Sequence, residues 1–117
     1  MKVQVRPMKS DSVFILHIVD SIDQIMEYTD GLSGDEFKNN RLVQDAVIRN
    51  FEIIGEASKQ ISTDTRTNHP DIPWGSMAGM RDKLIHNYLG VDLNIVWNTI
   101  TEVLPNLRSD LIGIADD

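Results

Sequence analysis

Phe14-Ile15-Leu16-His17-Ile18-Val19-Asp20-Ser21-Ile22-Asp23-Gln24-Ile25-Met26 decides the fold class. Ile15, Ile18, Val19, Ile22, Ile25 and Met26 recur three and four residues apart and make a single apolar stripe, with Asp20, Asp23 and Gln24 between them. That is the period of an α-helix with one face buried, and no strand-like alternation competes with it. The spacing predicts a first helix from Asp11 to Thr29, after which Asp30-Gly31 punctuates the chain.

The same period continues outward from this stretch. Beyond Ser33-Gly34, Val43, Val47, Phe51, Ile54, Ala57 and Ile61 predict a second helix from Asp35 to Ser62. Its opposite face carries Asp45, Arg49, Glu52, Glu56 and Lys59, and Asp45 with Arg49 forms a favourably ordered i,i+4 pair. The polar stretch from Thr63 to Gly75, broken by Pro70 and Pro73, reads as the one substantial loop. A short third helix is expected from Ser76 to Asn87 on Met77, Met80 and Leu84, with Gly90 placed to end it. Asp92 is a good N-cap for a fourth helix with the stripe Leu93, Val96, Ile100, Val103, Leu107, Leu111 and Ile114. Pro105 inside that stripe should kink the helix or open one hydrogen bond. Four such helices with short connections predict an all-α fold, an antiparallel four-helix up-down bundle.

Composition narrows the function classes. A chain of 117 residues makes one domain with a real core. It has no cysteine, which excludes disulfides, zinc knuckles and thiolate nucleophiles and fits a reducing cytosol. No apolar run approaches the roughly 20 residues that span a bilayer, and Met1 to Ser10 has no apolar core of a signal peptide. A cytoplasmic protein is the expectation. The net charge of −7 argues against a protein that coats nucleic acid. From Gly75 to Gly90, however, the only charged residues are Arg81, Asp82 and Lys83, a small basic spot able to process RNA locally.

The chemistry sits in Arg81-Asp82-Lys83-Leu84-Ile85-His86-Asn87-Tyr88. Arginine grips a phosphate through a planar fork of donors, and histidine takes and gives protons near neutrality. Brought to one phosphate, the pair suffices to cut an RNA backbone without a metal. Five residues on a helix, however, is about 140° around the axis. Arg81 and His86 of one chain therefore point to different sides, unless the helix unwinds before His86. A two-fold dimer pairing these helices could set the arginine of one chain beside the histidine of the other.

Ile72-Pro73-Trp74, the run Met80 to Tyr88, Gly90-Val91-Asp92 and Val96-Trp97, in that order, resemble the HEPN superfamily, and within it the HepT-like toxins of prokaryotic toxin–antitoxin systems. Arg49-Asn50-Phe51-Glu52-Ile53-Ile54-Gly55-Glu56-Ala57 is similar to that branch's second helix. The similarity runs from about Met8 to Leu107, and Met8 could be the usual start. The family motif is Arg, a polar residue, spacers, His, any residue, Tyr, met here by Arg81, Asp82, His86 and Tyr88. The resemblance implies a homodimeric, metal-independent endoribonuclease that needs no cofactor. It also implies a partner, the minimal nucleotidyltransferase antitoxin MntA, which silences the toxin by adding AMP to the motif tyrosine, here Tyr88.

Each motif residue also has a plainer reading. His86 could be a polar residue gaining from a helix dipole; as a catalyst it would deprotonate the ribose 2′-OH or protonate the leaving 5′-oxygen. Arg81 could be a surface cation; as a catalyst it would hold the scissile phosphate and offset the charge of the transition state. Tyr88 could be a half-buried packing residue, yet it shares a face with Arg81, and an AMP group there would block RNA by bulk and charge. Asp82, one turn before His86, could orient the imidazole or stay solvated. Lys83 reads as a solvated cation. His17 and His69 are isolated and no metal site is expected. Glu52 and Glu56 are explained by pairing with Arg49 and Lys59, and Trp74 and Trp97 by packing or dimer contacts. With no glycine-rich phosphate loop, the chain should not bind nucleotide by itself. The competing reading is a non-catalytic helical partner, or substrate-presenting subunit, of a nucleotidyltransferase.

Overall fold

A computed structural model describes the backbone of residues 9–86 and 92–115, and the side chains of these except 9 and 81–86. Every regular element among the described residues is helical. The elements are α1 (Lys9–Thr29), α2 (Gly34–Lys38), α3 (Arg41–Lys59), α4 (Thr63–Asn68), α5 (Trp74–His86), α6 (Leu93–Asn98) and α7 (Leu104–Ala115), with a π-helical turn, Thr99–Val103, joining the last two. Helix α3 packs between α1 and α5, and α7 lies along α1.

The predicted stripes form the core. Ile15, Ile18, Ile22 and Ile25 of α1 and Val47 and Ile54 of α3 are fully buried, with Phe51 almost so. Burying side chains of this kind contributes on the order of 1.5–3 kcal/mol each, which is what holds separate helices together. Met26, placed in the stripe by its spacing, lies at its edge and is exposed.

Polar side chains account for the departures from four long helices. The predicted helix from Asp35 to Ser62 is two, because Asn39 and Asn40 satisfy the ends of both. Asn39 Nδ2 donates to Asp35 O at 2.8 Å, closing α2, and Asn40 Oδ1 accepts from Val43 N at 3.1 Å, capping α3. Gln44 Nε2 crosses the break to donate to Phe37 O and Lys38 O. Ser33 and Glu36 form a reciprocal capping box at the start of α2. The predicted loop from Thr63 contains a turn of helix, α4, capped by Ser62. The third long helix starts at Trp74, two residues before Ser76.

Pro105 acts as predicted, and its effect reaches backwards. Lacking an N–H, it cannot bond to Thr101 O, and the turn before it widens so that Leu104 N donates to Thr99 O, five residues back. A turn closed over five residues takes up one residue more than an α-turn, so later positions lag around the axis. Val103, expected in the core, is 45% exposed, and Leu104, absent from the predicted stripe, is fully buried. From Leu107 onward the predicted residues return to the core.

The ion pairs are also redistributed. Asp45 lies 4.0 Å from Arg41, and Arg49 lies 3.8 Å from Glu52, so the expected Asp45–Arg49 pair is not formed. Arg49 can reach forward to Glu52, and Asp45 back to Arg41, each within one turn. Such exposed pairs contribute little, so nothing in the fold depends on the exchange. Between helices, Arg108 Nε and Nη2 donate to the two carboxylate oxygens of Asp23, fixing α7 to α1.

Candidate active site

Helix α5 carries Arg81, Asp82 and His86 of the motif, and its first turn is tightly held. Met77 N donates to Pro73 O at 3.0 Å, so the proline carbonyl just before the helix takes its first bond. Trp74 is 6% exposed, and its indole Nε1 donates to His69 O at 2.9 Å, tying the helix to the end of α4. Met77, at 1% exposure, completes the buried face. The opposite face has Gly75 and Gly79, where an added Cβ would meet nothing within 4 Å. Glycine costs a helix about 1 kcal/mol relative to alanine. Two on one open face leave room for another backbone to come close.

The backbone of α5 stays α-helical through His86. Unwinding before His86 is therefore not the means by which Arg81 and His86 could meet. Positions 81 and 86 are five residues apart on this continuous helix, about 140° around its axis. Asp82 and His86, four apart on continuous helix, do share a side. Tyr88 and Gly90 lie outside the described residues, as do Asn87, Leu89 and Val91.

Asp92, the first described residue beyond them, caps α6 as expected. Its Oδ1 accepts from Asn94 N at 3.0 Å and Ile95 N at 3.3 Å. Trp97 then stacks on Phe37 with ring centroids 5.2 Å apart, and the edge of its indole covers Gly34. Both tryptophans are thus engaged in packing.

The other candidates are dispersed. His17 is exposed in a groove of about 400 Å³ between α1 and α3, edge-on to Phe14, with Glu52 and Glu56 across from it. His69 caps the end of α4. Among the described residues no three His, Asp or Glu side chains are grouped to hold a metal ion.

Two features were not foreseen. Asp11, only 2% exposed, accepts from Ser62 N at 3.0 Å and Thr65 Oγ1 at 2.6 Å, and also from Ser62 Oγ. Burial pushes its carboxyl up, but the donors of Ser62 and Thr65 and the charge of Arg66 outweigh that and hold it below the ordinary value. Its sequence signal was weak, since an Asp in a first helical turn is ordinary. The second feature is a cavity of about 350 Å³ bounded by α3, α5, α6 and the π-turn, with Met80, the residue before Arg81, in its wall. The proline and the two threonines near the π-turn were its available sign. Thr99 Oγ1 and Thr101 Oγ1 donate back to Ile95 O and Trp97 O, a habit that loosens helices.

Residues 18–113 match the family model described as Ribonuclease HepT-like. A protein of Thermococcus cleftensis named "Probable ribonuclease HepT" is 45% identical over 100 residues, 86% of this chain and 91% of the relative. A Methanocaldococcus jannaschii protein provisionally named an RNase is 40% identical over 111 residues, covering 95% of this chain and 92% of its own. Another so named, from Caldanaerobacter subterraneus, is 38% identical over 104 residues, 89% and 93% of the two chains. No solved structure gives a significant match.

Proposed function

The chain belongs to the ribonuclease HepT-like family, and from that premise we propose that it is a metal-independent endoribonuclease working as a homodimer. It is read as a single HEPN domain over residues 1–117, an antiparallel four-helix bundle. It serves as the cytoplasmic toxin of a type VII-like toxin–antitoxin pair. No helix among the described residues is long and apolar enough to cross a membrane.

Catalysis is assigned to Arg81 and His86. His86 takes the proton of a ribose 2′-OH, the oxygen attacks the adjacent phosphorus, and the P–O5′ bond breaks. The products are a 2′,3′-cyclic phosphate and a 5′-hydroxyl, the latter receiving a proton from the imidazole that has become imidazolium. Arg81 holds the phosphate and offsets the charge of the pentacoordinate transition state. Asp82, on the same side of α5 as His86, orients the ring. The observation that carries the dimer is the unbroken helix through His86, which keeps positions 81 and 86 apart within one chain. A two-fold pairing of the α5 helices sets each arginine beside the partner's histidine. Tyr88 is the site at which a cognate MntA-like nucleotidyltransferase adds AMP, placing bulk and negative charge where RNA must approach.

The test is cleavage of labelled single-stranded RNA in EDTA by wild type, Arg81→Ala and His86→Ala. Cyclic-phosphate ends from wild type alone are expected. An inert wild type, or equal cutting by all three, removes the nuclease reading and favours the non-catalytic, substrate-presenting subunit, for which the net charge of −7 speaks. Mass spectrometry after co-expression with the adjacent gene should find adenylyl groups on Tyr88; their absence, or another site, removes that control.

A further inference from the structure

We propose that the cavity beside the motif helix is a base-binding subsite, taking one unstacked nucleobase of a single-stranded RNA; this rests on the nuclease reading above. Of about 350 Å³, it is walled by Phe51 of α3, Met80 of α5, and Ile95 and Val103 of α6 and the π-turn. That volume is within the range of small-ligand sites and leaves ample room for a base. Among the described residues no charged side chain lines it, and walls of this kind do not suit a phosphate, a carboxylate or a cation. The base is the uncharged part of an RNA strand, with apolar faces and a polar edge.

The polar groups match that chemistry. Among the described residues, Ser76 and Thr99 bring hydroxyls to an otherwise apolar wall. The Thr99 hydroxyl hydrogen is committed to Ile95 O at 2.8 Å, so towards a ligand its oxygen can only accept. An exocyclic amine or ring N–H on a base edge supplies the matching donor. Without the π-turn, Val103 would face the core and Leu104 would be displaced, so the wall depends on this departure from regular helix. Such turns recur at functional sites. The wall includes Met80, the residue before Arg81, so the cavity and the start of the motif are on the same turn of α5. A strand held at the motif is thus within a few ångströms of chain from the cavity.

The full-length protein can be tested with an RNA of known cleavage position and a set in which each base in turn is removed, leaving the sugar and phosphate. One abasic position, at a fixed distance from the cut, should lower kcat/KM roughly ten-fold or more, the scale of one base–pocket contact. Val103→Trp, which fills the cavity, should cause a similar loss on intact RNA and little further loss on that abasic substrate. Thr99→Val should weaken preference among bases at that position alone. The same series in uncleavable 2′-O-methyl RNA, read by fluorescence anisotropy, separates this subsite from catalysis. Position-specific base dependence lost in Val103→Trp, with no cleavage by wild type, sustains the subsite and rejects the nuclease. Cleavage that ignores base removal at every position overturns the subsite and leaves the nuclease standing. A Val103→Trp protein that has lost activity by changing its molar mass in light scattering shows a contact between copies instead, and also overturns it. Failure of wild type to bind or cut RNA overturns both.

Discussion

Replacing Val103 and Leu104 separately by alanine tests whether the turn before Pro105 is π-helical. Leu104 is fully buried, so Leu104→Ala loses the transfer energy of its branched carbons and leaves a cavity that the surrounding helices fill only in part. The cost is about 3 kcal/mol, inside the roughly 2–5 kcal/mol range for such truncations. Val103 is 45% exposed, and alanine is the better helix former by about half a kcal/mol, so Val103→Ala should fall within about 0.5 kcal/mol of wild type. For a domain of this size 1 kcal/mol moves Tm by about 4 °C, which separates the two variants by roughly 12 °C. Urea and thermal unfolding followed by far-UV circular dichroism read both, at matched protein concentration because self-association would add stability. In an uninterrupted α-helix Val103 would belong to the buried stripe. A Val103→Ala cost equal to that of Leu104→Ala would refute the register shift.

Two further outcomes follow from the capped helix ends. Asp11→Asn should weaken the clasp between α1, Ser62 and Thr65 by about 1.5–3 kcal/mol at neutral pH, as hydrogen bonds to a charged group do. Because folding depresses the Asp11 pKa, its contribution is fully present above the ordinary carboxylate pKa and fades as pH falls through the depressed one. The gap in urea midpoint between wild type and variant should therefore close on acidification, and a gap that stays constant would contradict the assignment. Asp92→Ala removes the acceptor for Asn94 N and Ile95 N and should cost about 1 kcal/mol, measured as a lowered unfolding midpoint with an unchanged m-value.

The core was legible from the sequence because helical periodicity is a long-range signal, repeated over whole stripes such as Ile15 to Ile25. What escaped was decided by one or two polar residues. Asn39-Asn40 reads equally as exposed helix or as a cap on either side, and only the crossing bond from Gln44 resolves it. Pro105 was a visible breaker, but the direction in which its effect spreads depends on how the preceding turn can widen against the core. The clasp between Asp11 and Ser62 joins residues 51 positions apart and has no local sign. The motif was legible as a spacing, and the unbroken α5 adds that positions 81 and 86 stay on different sides of one helix.

A composite active site is tested most directly by mixing two inactive proteins. Arg81→Ala and His86→Ala, co-expressed with different tags or exchanged after mild denaturation, should form mixed dimers. Each mixed dimer pairs the intact arginine of one subunit with the intact histidine of the other at one of two sites. Random exchange should then restore roughly a quarter of wild-type RNA cleavage, following from two-fold symmetry. A mixture in which mixed dimers are present and yet as inert as either parent would show that both groups must come from the same chain.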